Sequence, residues 1–391
     1  MLKKRYLYSH LASDLKEKMV FIGGPRQVGK TTLAQFIGKN NYQHPVYLNW
    51  DFREDRKKIL DEKFESEADL IIFDEIHKYK NWRNYLKGEF DKNKDRFDIL
   101  VTGSARLDLY RRGGDSLLGR YHYLRLHPFS EREIMNIDPN IEIFKELRFA
   151  AYKRSNEIFD QLFQFGGFPE PFIKKDLKTL RRFHNERLDR IVREDIRDIE
   201  NVRDLSALQV LVEILPGRVG SLFSANSLKE DLGVTHKTIS LWLDVLERFY
   251  YHFRIYPFTS TIIRSLRKEP KVYLWDWSQI DNEAARFENM VASHLLKTIH
   301  FLYDTEGYKA ELYFLRDREG REVDFLISVN KKPWMAVEVK LNNKEISKNL
   351  KYFSERLKIP FIYQVIKEKG VDFTVNGIRA ISADKFLSGL V

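Results

Sequence analysis

The stretch Gly24-Pro25-Arg26-Gln27-Val28-Gly29-Lys30-Thr31 decides the fold, because it matches the spacing G-x-x-x-x-G-K-[ST]. It follows a short apolar run, Val20-Phe21-Ile22, and precedes a helical stretch at residues 31–39. Glycine residues let backbone N–H groups turn inward onto phosphate oxygens, and a helix that begins at Lys30 adds the positive end of its dipole. The pattern therefore predicts a phosphate-binding loop between a buried strand and a helix.

The side chains of this loop have separate expected roles toward ATP and Mg²⁺. Lys30 places a positive charge on the β- and γ-phosphates, and Thr31 offers its hydroxyl to the metal. We therefore expect ATP and Mg²⁺ as the cofactors. The residues expected to contact the nucleotide are Gly24, Pro25, Arg26, Gln27, Val28, Gly29, Lys30, Thr31 and Thr32.

An apolar run that ends in two acids, Asp69-Leu70-Ile71-Ile72-Phe73-Asp74-Glu75, lies further along the chain. Such a run predicts a buried strand with carboxylates at its C-terminal end, where ligands bind in open parallel sheets. We expect Asp74 to hold Mg²⁺ through water, and Glu75 to orient or deprotonate the attacking water. The pattern is common by itself, but it is specific when it follows a phosphate-binding loop.

The next apolar run, at residues 98–104, ends in hydroxyl side chains that include Ser104. One hydroxyl can sense the γ-phosphate, and an ordinary strand-ending turn is an equal alternative. Four arginines follow, and the one after Leu117-Leu118-Gly119, Arg120, is the candidate arginine finger for the site of a neighbouring subunit. The other three are expected to be surface or nucleic-acid contacts: Arg106, Arg111 and Arg112.

The chain of 391 residues is too long for one ordinary core and predicts two or three domains. Short apolar strands alternate with helices up to about residue 130, which indicates an α/β fold with a parallel sheet. A mostly helical region follows, and strands return near residue 270. The predicted boundaries are 1–130 for the ATPase domain, 131–204 for a helical lid or linker, 205–268 for a winged-helix domain and 269–391 for a C-terminal α/β domain.

Composition restricts the class of protein. The sequence contains no cysteine, which excludes disulfides and thiolate metal sites. No stretch reaches the ~18 apolar residues needed to span a bilayer, and the basic start lacks the apolar region of a signal peptide. These features predict a soluble, cytoplasmic protein that does not insert in membranes. The net charge of +10 favours a polyanion such as DNA as a partner, although a merely basic surface is equally consistent with it.

Residues 227–240 read as a helix–turn–helix. Gly233 is expected to end the first helix, and Thr235 to cap the second. The candidates for exposed positions on the second helix are His236, Lys237, Ser240 and Trp242. Residues 249–257, rich in Tyr, Phe and Arg, are expected to form a wing hairpin. A winged helix either enters the major groove of DNA or serves as a structural joint, and the sequence does not distinguish the two.

The C-terminal part of the sequence contains a second candidate catalytic site. It consists of four charged residues, Glu288, Asp324, Glu338 and Lys340. Residues two apart on a strand share a face, so Glu338 and Lys340 point together, and Asp324 can join them from an adjacent strand. Asp324 and Glu338 would bind Mg²⁺, which would activate water against a phosphodiester, with Lys340 stabilising the transition state. The alternative is that these charges only keep an edge strand soluble.

The whole chain resembles a prokaryotic family that joins an AAA-type P-loop ATPase to a C-terminal domain of unknown function related to PD-(D/E)xK nucleases. Besides the residue 24–32 loop, the motifs that carry this resemblance are Phe73-Asp74-Glu75-Ile76-His77-Lys78, Trp82, Thr102-Gly103-Ser104, Leu118-Gly119-Arg120, Gly166-Gly167-Phe168-Pro169, Arg193-Glu194-Asp195-Ile196, Phe287-Glu288-Asn289, Glu322-Val323-Asp324-Phe325 and Glu338-Val339-Lys340. The resemblance implies an AAA-type core, a winged-helix segment, a restriction-endonuclease-like domain and self-association. Val323 replaces the proline of the superfamily name.

Three functions are consistent with these features. The first is an ATPase that acts on DNA and carries a Mg²⁺-dependent phosphodiesterase centre at Glu288, Asp324, Glu338 and Lys340. The second is an ATP-driven switch whose C-terminal domain binds DNA or a protein partner without cutting. The third is an ATPase that remodels partners without nucleic acid.

Overall fold

The computed structural model describes residues 4–103, 117–150, 155–192, 204–259, 268–342 and 345–391. The chain divides into two compact units, Met1–His127 and Pro128–Val391. Eight residues that the sequence predicted as site or motif residues lie outside the described ranges: Ser104, Arg106, Arg111, Arg112, Arg193, Glu194, Asp195 and Ile196. Within those ranges no helix combines the length and apolar character needed to cross a bilayer.

A five-stranded parallel sheet forms the centre of the first unit, in the order β2-β3-β4-β1-β5. Its strands are β1 Met19–Gly23, β2 Pro45–Asn49, β3 Leu70–Asp74, β4 Asp98–Thr102 and β5 Tyr121–Arg125. The helices are α1 Tyr8–Asp14, α2 Lys30–Asn41, α3 Arg53–Leu60 and α4 Trp82–Asn93, with a short 3₁₀ turn at Ile76–Lys78. The predicted parallel α/β sheet is therefore confirmed.

Two central strands of this sheet, β1 and β3, are buried along their whole length. A strand covered by helices on both faces needs apolar side chains on both, which explains the unbroken apolar runs. Phe21, Phe73 and Trp82 pack in the core on one face. Because side chains alternate along a strand, Asp74 points away from the face that buries Phe73, and it contacts the first turn of α2.

The second unit begins with helices and continues into a large mixed sheet. Its helices are α5 Glu131–Ile134, α6 Ser155–Phe165, α7 Pro169–Lys174, α8 Leu177–Asp189, α9 Leu205–Ile214, α10 Ala225–Leu232, α11 His236–Arg248, α12 Glu283–Glu306, α13 Lys348–Leu357 and α14 Ala383–Ser388. Its strands are β6 His252–Pro257, β7 Lys271–Leu274, β8 Ala310–Arg316, β9 Glu322–Val329, β10 Lys332–Lys340, β11 Phe361–Ile366, β12 Asp372–Val375 and β13 Ile378–Ser382.

These eight strands form one sheet in the order β12-β13-β11-β10-β9-β8-β6-β7. The pairs β10–β11, β11–β13 and β6–β8 are parallel, and the other pairs are antiparallel. The long helix α12 packs on β7 to β10, and α13 packs on β9 and β10. This packing brings residues of β7, β9, β10 and α12 to one place.

The helix–turn–helix expected at residues 227–240 is formed by α10 and α11. Gly233 ends α10 in the left-handed conformation with φ 63°, and the side chain of Thr235 accepts a hydrogen bond from the N–H of Thr238. Trp242, predicted to be exposed, is instead buried. It lies on the same helical stripe as Ile239 and Leu246, and a large aromatic ring on that stripe is covered by the core.

The wing hairpin predicted within residues 249–257 is not formed. That stretch contributes a single strand, β6, which pairs antiparallel with β7 and parallel with β8. The aromatic residues that suggested a wing hairpin are buried in this sheet, for example Tyr251 and Phe253. A strand with neighbours on both sides buries such rings, which explains the composition.

Candidate functional site

The phosphate-binding loop leaves β1 through three residues with positive φ: Gly24 at 128°, Gln27 at 62° and Gly29 at 97°. A Cβ atom at Gly24 would lie 2.3 Å from the carbonyl oxygen of Leu126, so only glycine fits there. The turn directs the chain into α2, which begins at Lys30. The loop and helix start therefore have the form that the sequence predicted.

Lys30 lies inside the loop rather than in solvent. Its Nζ donates hydrogen bonds to the carbonyl oxygens of Gly24 at 3.0 Å and Pro25 at 2.7 Å. Val28 is fully buried, so its side chain anchors the loop in the core. The guanidinium of Arg5 donates to the carbonyl oxygens of Val28 at 2.7 Å and His127 at 2.5 Å. Arg5 thus holds the loop from behind, a role that no sequence motif indicated.

Asp74 is the centre of a network of hydroxyl groups. Its Oδ2 accepts hydrogen bonds from Thr31 Oγ1 at 2.8 Å and from the hydroxyl of Tyr47 at 2.7 Å. Its Oδ1 accepts one from Thr102 Oγ1 at 2.6 Å. A carboxylate has about four acceptor positions, so three protein donors leave roughly one for another ligand. Thr31 and Asp74, predicted to share a metal ion, are thus adjacent.

Tyr47 was not predicted as a site residue, whereas Thr102 belongs to the run at residues 98–104 whose hydroxyls were expected near the γ-phosphate. Tyr47 lies on the edge strand β2, and Asn49 Nδ2 donates to its hydroxyl at 3.3 Å. Thr102 ends β4, and its hydroxyl is already bonded to Asp74. Because β2 and β4 flank β3, both side chains reach Asp74 from neighbouring strands, and only the strand order reveals this.

Glu75 follows Asp74 in the left-handed conformation, with φ 57° and ψ 19°. This is a strained conformation for a non-glycine residue, and such strain is often found at functional sites. Its N–H donates to the carbonyl oxygen of Thr102 at 3.0 Å. Glu75 Oε2 lies 3.4 Å from His77 Nε2 and 3.6 Å from Lys78 Nζ. Burial raises the pKa of Glu75, and the charge of Lys78 lowers it.

Arg120 lies far from the phosphate-binding loop of its own chain. It directly precedes β5, whose first residue pairs with Met19 at the start of β1, whereas the loop follows the other end of β1. Its guanidinium makes two hydrogen bonds to Asp91, at 2.8 and 3.0 Å. A role in the site of a neighbouring copy stays a prediction, and Ser104 lies outside the described residues.

This first site fits Mg²⁺ and a nucleoside triphosphate. Mg²⁺ is usually bound by one or two carboxylates together with substrate phosphates and water, and Thr31 with Asp74 supplies such a set of oxygen ligands. Backbone N–H groups of the loop and the ammonium of Lys30 supply the donors for phosphate. The arrangement therefore has the groups needed to bind and hydrolyse a nucleoside triphosphate, and Glu75, next to Asp74, is the candidate base.

In the second unit, Asp324 is the central member of the four residues predicted as a second centre. Its charge raises the pKa of each of the other three, Glu288, Glu338 and Lys340. The N–H of Val339 donates to Asp324 Oδ2 at 2.8 Å, which holds this carboxylate against β10. Lys340 Nζ lies 2.8 Å from Glu338 Oε1. Burial and the charge of Asp324 raise the pKa of Glu288 to about 7 and that of Glu338 to about 7.

Three further side chains of this centre were not predicted. Lys271 Nζ lies 2.6 Å from Glu322 Oε1, and the hydroxyl of Tyr273 donates to Glu288 Oε1 at 2.7 Å. Lys271 and Tyr273 stand two apart on β7 and share one face, as alternation on a strand requires. The sequence shows that these two residues are two apart, but it does not show that β7 pairs at the edge of the sheet.

The point between Glu288, Glu322 and Asp324 does not fit a divalent metal ion as it stands. The ammonium of Lys271 already lies between the carboxylates of Glu288, Glu322 and Asp324. In the described ranges, no group of three or more His, Asp or Glu side chains is arranged to hold a metal ion.

Comparison with known families gives three matches along the chain. Residues 16–135 match a family described as an AAA domain. Residues 156–280 match a domain of unknown function, DUF8612, and residues 284–386 match another, DUF4143. The first match contains the phosphate-binding loop, Asp74 and Glu75. The protein therefore carries an AAA-type P-loop ATPase domain.

Several relatives are similar to this chain along most of its length. An uncharacterized protein of Methanocaldococcus jannaschii is 26% identical over 370 residues, covering 88% of this chain and 80% of the relative. An uncharacterized protein of Haemophilus influenzae is 25% identical over 362 residues, covering 83% of each. Among solved structures, the Thermotoga maritima RuvB Holliday junction branch migration motor is 20% identical, covers 67% of this chain and 93% of that chain, and has a TM-score of 0.32.

Proposed function

We propose that this protein hydrolyses ATP to drive a switch that acts on DNA. The single observation that carries the hydrolytic part is the contact network around Asp74, which joins the start of α2 to the ends of β3 and β4. In this proposal Lys30 exchanges the carbonyl oxygens of Gly24 and Pro25 for the β- and γ-phosphates. An ammonium group held inside the loop needs only a short movement for that exchange.

Four residues of the first unit have separate proposed roles in hydrolysis. Thr31 and Asp74 would hold Mg²⁺, which neutralises charge on the phosphate oxygens when it is bound. Glu75 orients the attacking water and accepts its proton, and the raised pKa makes its carboxylate a stronger base. Thr102 links these two acids, since its side chain bonds Asp74 and its carbonyl oxygen accepts from the N–H of Glu75.

The experiment that tests hydrolysis uses two variants with different expected failures. Lys30→Ala removes the charge that binds the phosphates, so it should abolish nucleotide binding. Glu75→Gln keeps the size of the side chain but removes the base, so it should bind ATP and retain it unhydrolysed. Normal ATP turnover by Glu75→Gln would show that Glu75 does not have the proposed role.

DNA is the proposed partner because the chain has a net charge of +10 and exposes basic side chains on a helix–turn–helix. His236 and Lys237 lie at the exposed start of α11, the position from which a recognition helix contacts bases or phosphates. A His236→Ala/Lys237→Ala variant should weaken DNA binding, whereas the exposed Lys229→Ala on α10 serves as the matched control. Binding to DNA should fall steeply with added salt.

A protein that fails to bind DNA at low salt would instead support the third function, remodelling of a protein partner. ATP hydrolysis that is stimulated by DNA would support the present proposal. Self-association belongs to the proposal as well, since Arg120 can act only in the site of a neighbouring copy.

A Mg²⁺-dependent phosphodiesterase in the second unit is the competing candidate. The closeness of Glu288, Asp324, Glu338 and Lys340 favours it, and the ammonium of Lys271 disfavours it. Incubation with single-stranded, duplex and branched DNA in Mg²⁺ or Mn²⁺ distinguishes the two candidates. Cleavage that disappears in Glu338→Ala would establish a nuclease, whereas unchanged DNA supports a switch that binds without cutting.

A further inference from the structure

The acidic centre of the second unit contains a cation that belongs to the chain itself. Lys271 Nζ lies 2.6 Å from Glu322 Oε1, 3.6 Å from Glu288 Oε1 and 3.9 Å from Asp324 Oδ1. The side chain of Lys271 is only 3% exposed. Three carboxylates from α12 and β9 therefore surround one buried ammonium group.

The backbone around Lys271 fixes the position from which its side chain enters. Lys271 pairs with Ile255 of β6 on one side and forms an isolated bridge with Leu222 on the other. The neighbouring turn also covers Glu288, because a Cβ atom at Gly220 would lie 3.1 Å from both of its carboxylate oxygens. Lys271 thus has a fixed base and little space in which to swing away.

The chain supplies a cation for each part of this centre. Glu322 is shared between Lys271 and Arg316, whose Nη1 lies 2.7 Å from Glu322 Oε2. Glu338 pairs with Lys340 at 2.8 Å. Buried carboxylates need such partners, because an unpaired charge in a protein interior is costly. Lys271 therefore supplies, beside Glu288, Glu322 and Asp324, positive charge that an external cation would otherwise supply.

We infer that Lys271 takes the place of a divalent cation, so that the centre gathered around Asp324 binds no metal in this protein. A metal ion at the point where Glu288, Glu322 and Asp324 converge would lie within a few Å of the ammonium. Two like charges at that distance in a poorly hydrated site repel strongly. The inference deepens the proposed function of the second unit, and it does not depend on ATP hydrolysis by the first.

Replacing Lys271 by an apolar side chain of similar length should create the missing metal site. Lys271→Met leaves Glu288, Glu322 and Asp324 without their shared cation, and once the ammonium is gone these carboxylates are free to close around a hard divalent ion, which binds groups of carboxylate oxygens. We expect one Mn²⁺ to bind per chain at least tenfold more tightly than in the wild-type protein. Lys271→Arg, which keeps the charge, should behave like the wild type.

The test measures Mn²⁺ binding to the full chain without nucleotide, by the loss of the free-ion electron paramagnetic resonance signal. Asp324→Asn is added to both backgrounds. The new site should disappear in Lys271→Met/Asp324→Asn, and Asp324→Asn alone should leave the Mn²⁺ binding of the wild-type protein unchanged. A wild-type site that Asp324→Asn removes would overturn the inference.

A thermal measurement covers the case in which Lys271→Met is poorly folded. Metal that binds only the folded state raises the unfolding temperature, so Mn²⁺ should stabilise Lys271→Met and leave the wild type unchanged. If Mn²⁺ raises the unfolding temperature of Lys271→Met no more than that of the wild type, the inference is wrong. ATP hydrolysis and DNA binding of the same preparations are measured separately, so that failure of the proposed function is distinguishable.

Discussion

The hydroxyl of Tyr47 donates a 2.7 Å hydrogen bond to Oδ2 of Asp74, the acid expected to hold magnesium. Tyr47 comes from the edge strand β2, and its ring lines a surface groove of about 400 Å³ between that strand and α2. The contact therefore connects the exposed edge of the sheet to the centre of the nucleotide site.

Tyr47→Phe should weaken the use of magnesium without removing catalysis. The ring keeps its place, but Asp74 loses one of three donors and can rotate more freely. A hydrogen bond of about 1 kcal/mol corresponds to a ~5-fold rise in the Mg²⁺ concentration for half-maximal ATP hydrolysis. The maximal rate at saturating Mg²⁺ should change less than twofold.

Tyr42→Phe is the matched control for this variant. Tyr42 lines the same groove, but its hydroxyl donates to Asp98 at 2.6 Å instead. Titrations of Mg²⁺ should therefore coincide for Tyr42→Phe and the wild-type protein. An equal effect of both variants would assign the change to the groove and not to Asp74.

Gly24→Ala should abolish nucleotide binding and destabilise the first unit by about 2 kcal/mol or more, since the new Cβ collides with the carbonyl of Leu126 and the residue has φ 128°. Thermal unfolding and binding of a fluorescent nucleotide measure the two effects. Gly88→Ala in α4 is the contrasting variant, because nothing lies within 4 Å of its Cβ. It should be neutral or stabilise by ~0.5–1 kcal/mol.

The rate of ATP hydrolysis should rise with pH through the pKa of Glu75. Burial raises that pKa above 4.5, and only the deprotonated carboxylate can accept a proton from water. A pH profile at saturating ATP and Mg²⁺ should show an acidic limb that is absent from the small residual rate of Glu75→Gln. A limb that persists unchanged in Glu75→Gln would assign it to another group.

The second unit should lose stability as the pH rises toward neutrality. The pKa of Glu338 is raised from 4.5 to about 7, so its protonated form is favoured in the folded state. Stability from this group is present below pH 4.5 and is lost as the pH rises through about 7. A pKa shift of this size contributes about 3 kcal/mol to the free energy of unfolding at low pH.

Glu338→Gln should reduce this dependence, because an amide does not titrate, and the remaining part is expected from Glu288, whose pKa is also raised to about 7. The free energy of unfolding is measured with denaturant from about pH 5 to about pH 8, the range in which the carboxyl group of Glu338 changes its charge. Glu319→Gln, an exposed change in the same unit, should leave the pH dependence as it is. Identical slopes for wild type and Glu338→Gln would contradict the assignment.

The prediction from sequence succeeded where function depends on local backbone form. The loop at residues 24–31 combines a strand, glycines and a helix start within one short stretch, and the family match at residues 16–135 supports the ATPase assignment. It failed where local composition had two structural explanations. Aromatic residues at 249–257 suggested a wing, but they belong to one strand of a sheet, because its partners lie at residues 271–274 and 310–316.

By itself the sequence determined the phosphate-binding loop and the strand that ends in Asp74 and Glu75, since glycine conformations and apolar runs act over a few neighbouring residues. Only the tertiary structure decided what surrounds these groups. Tyr47 reaches Asp74 because β2 lies beside β3, and Lys271 enters the acidic centre because β7 joins the edge of the large sheet. Contacts between distant segments depend on strand order, which no short-range pattern encodes.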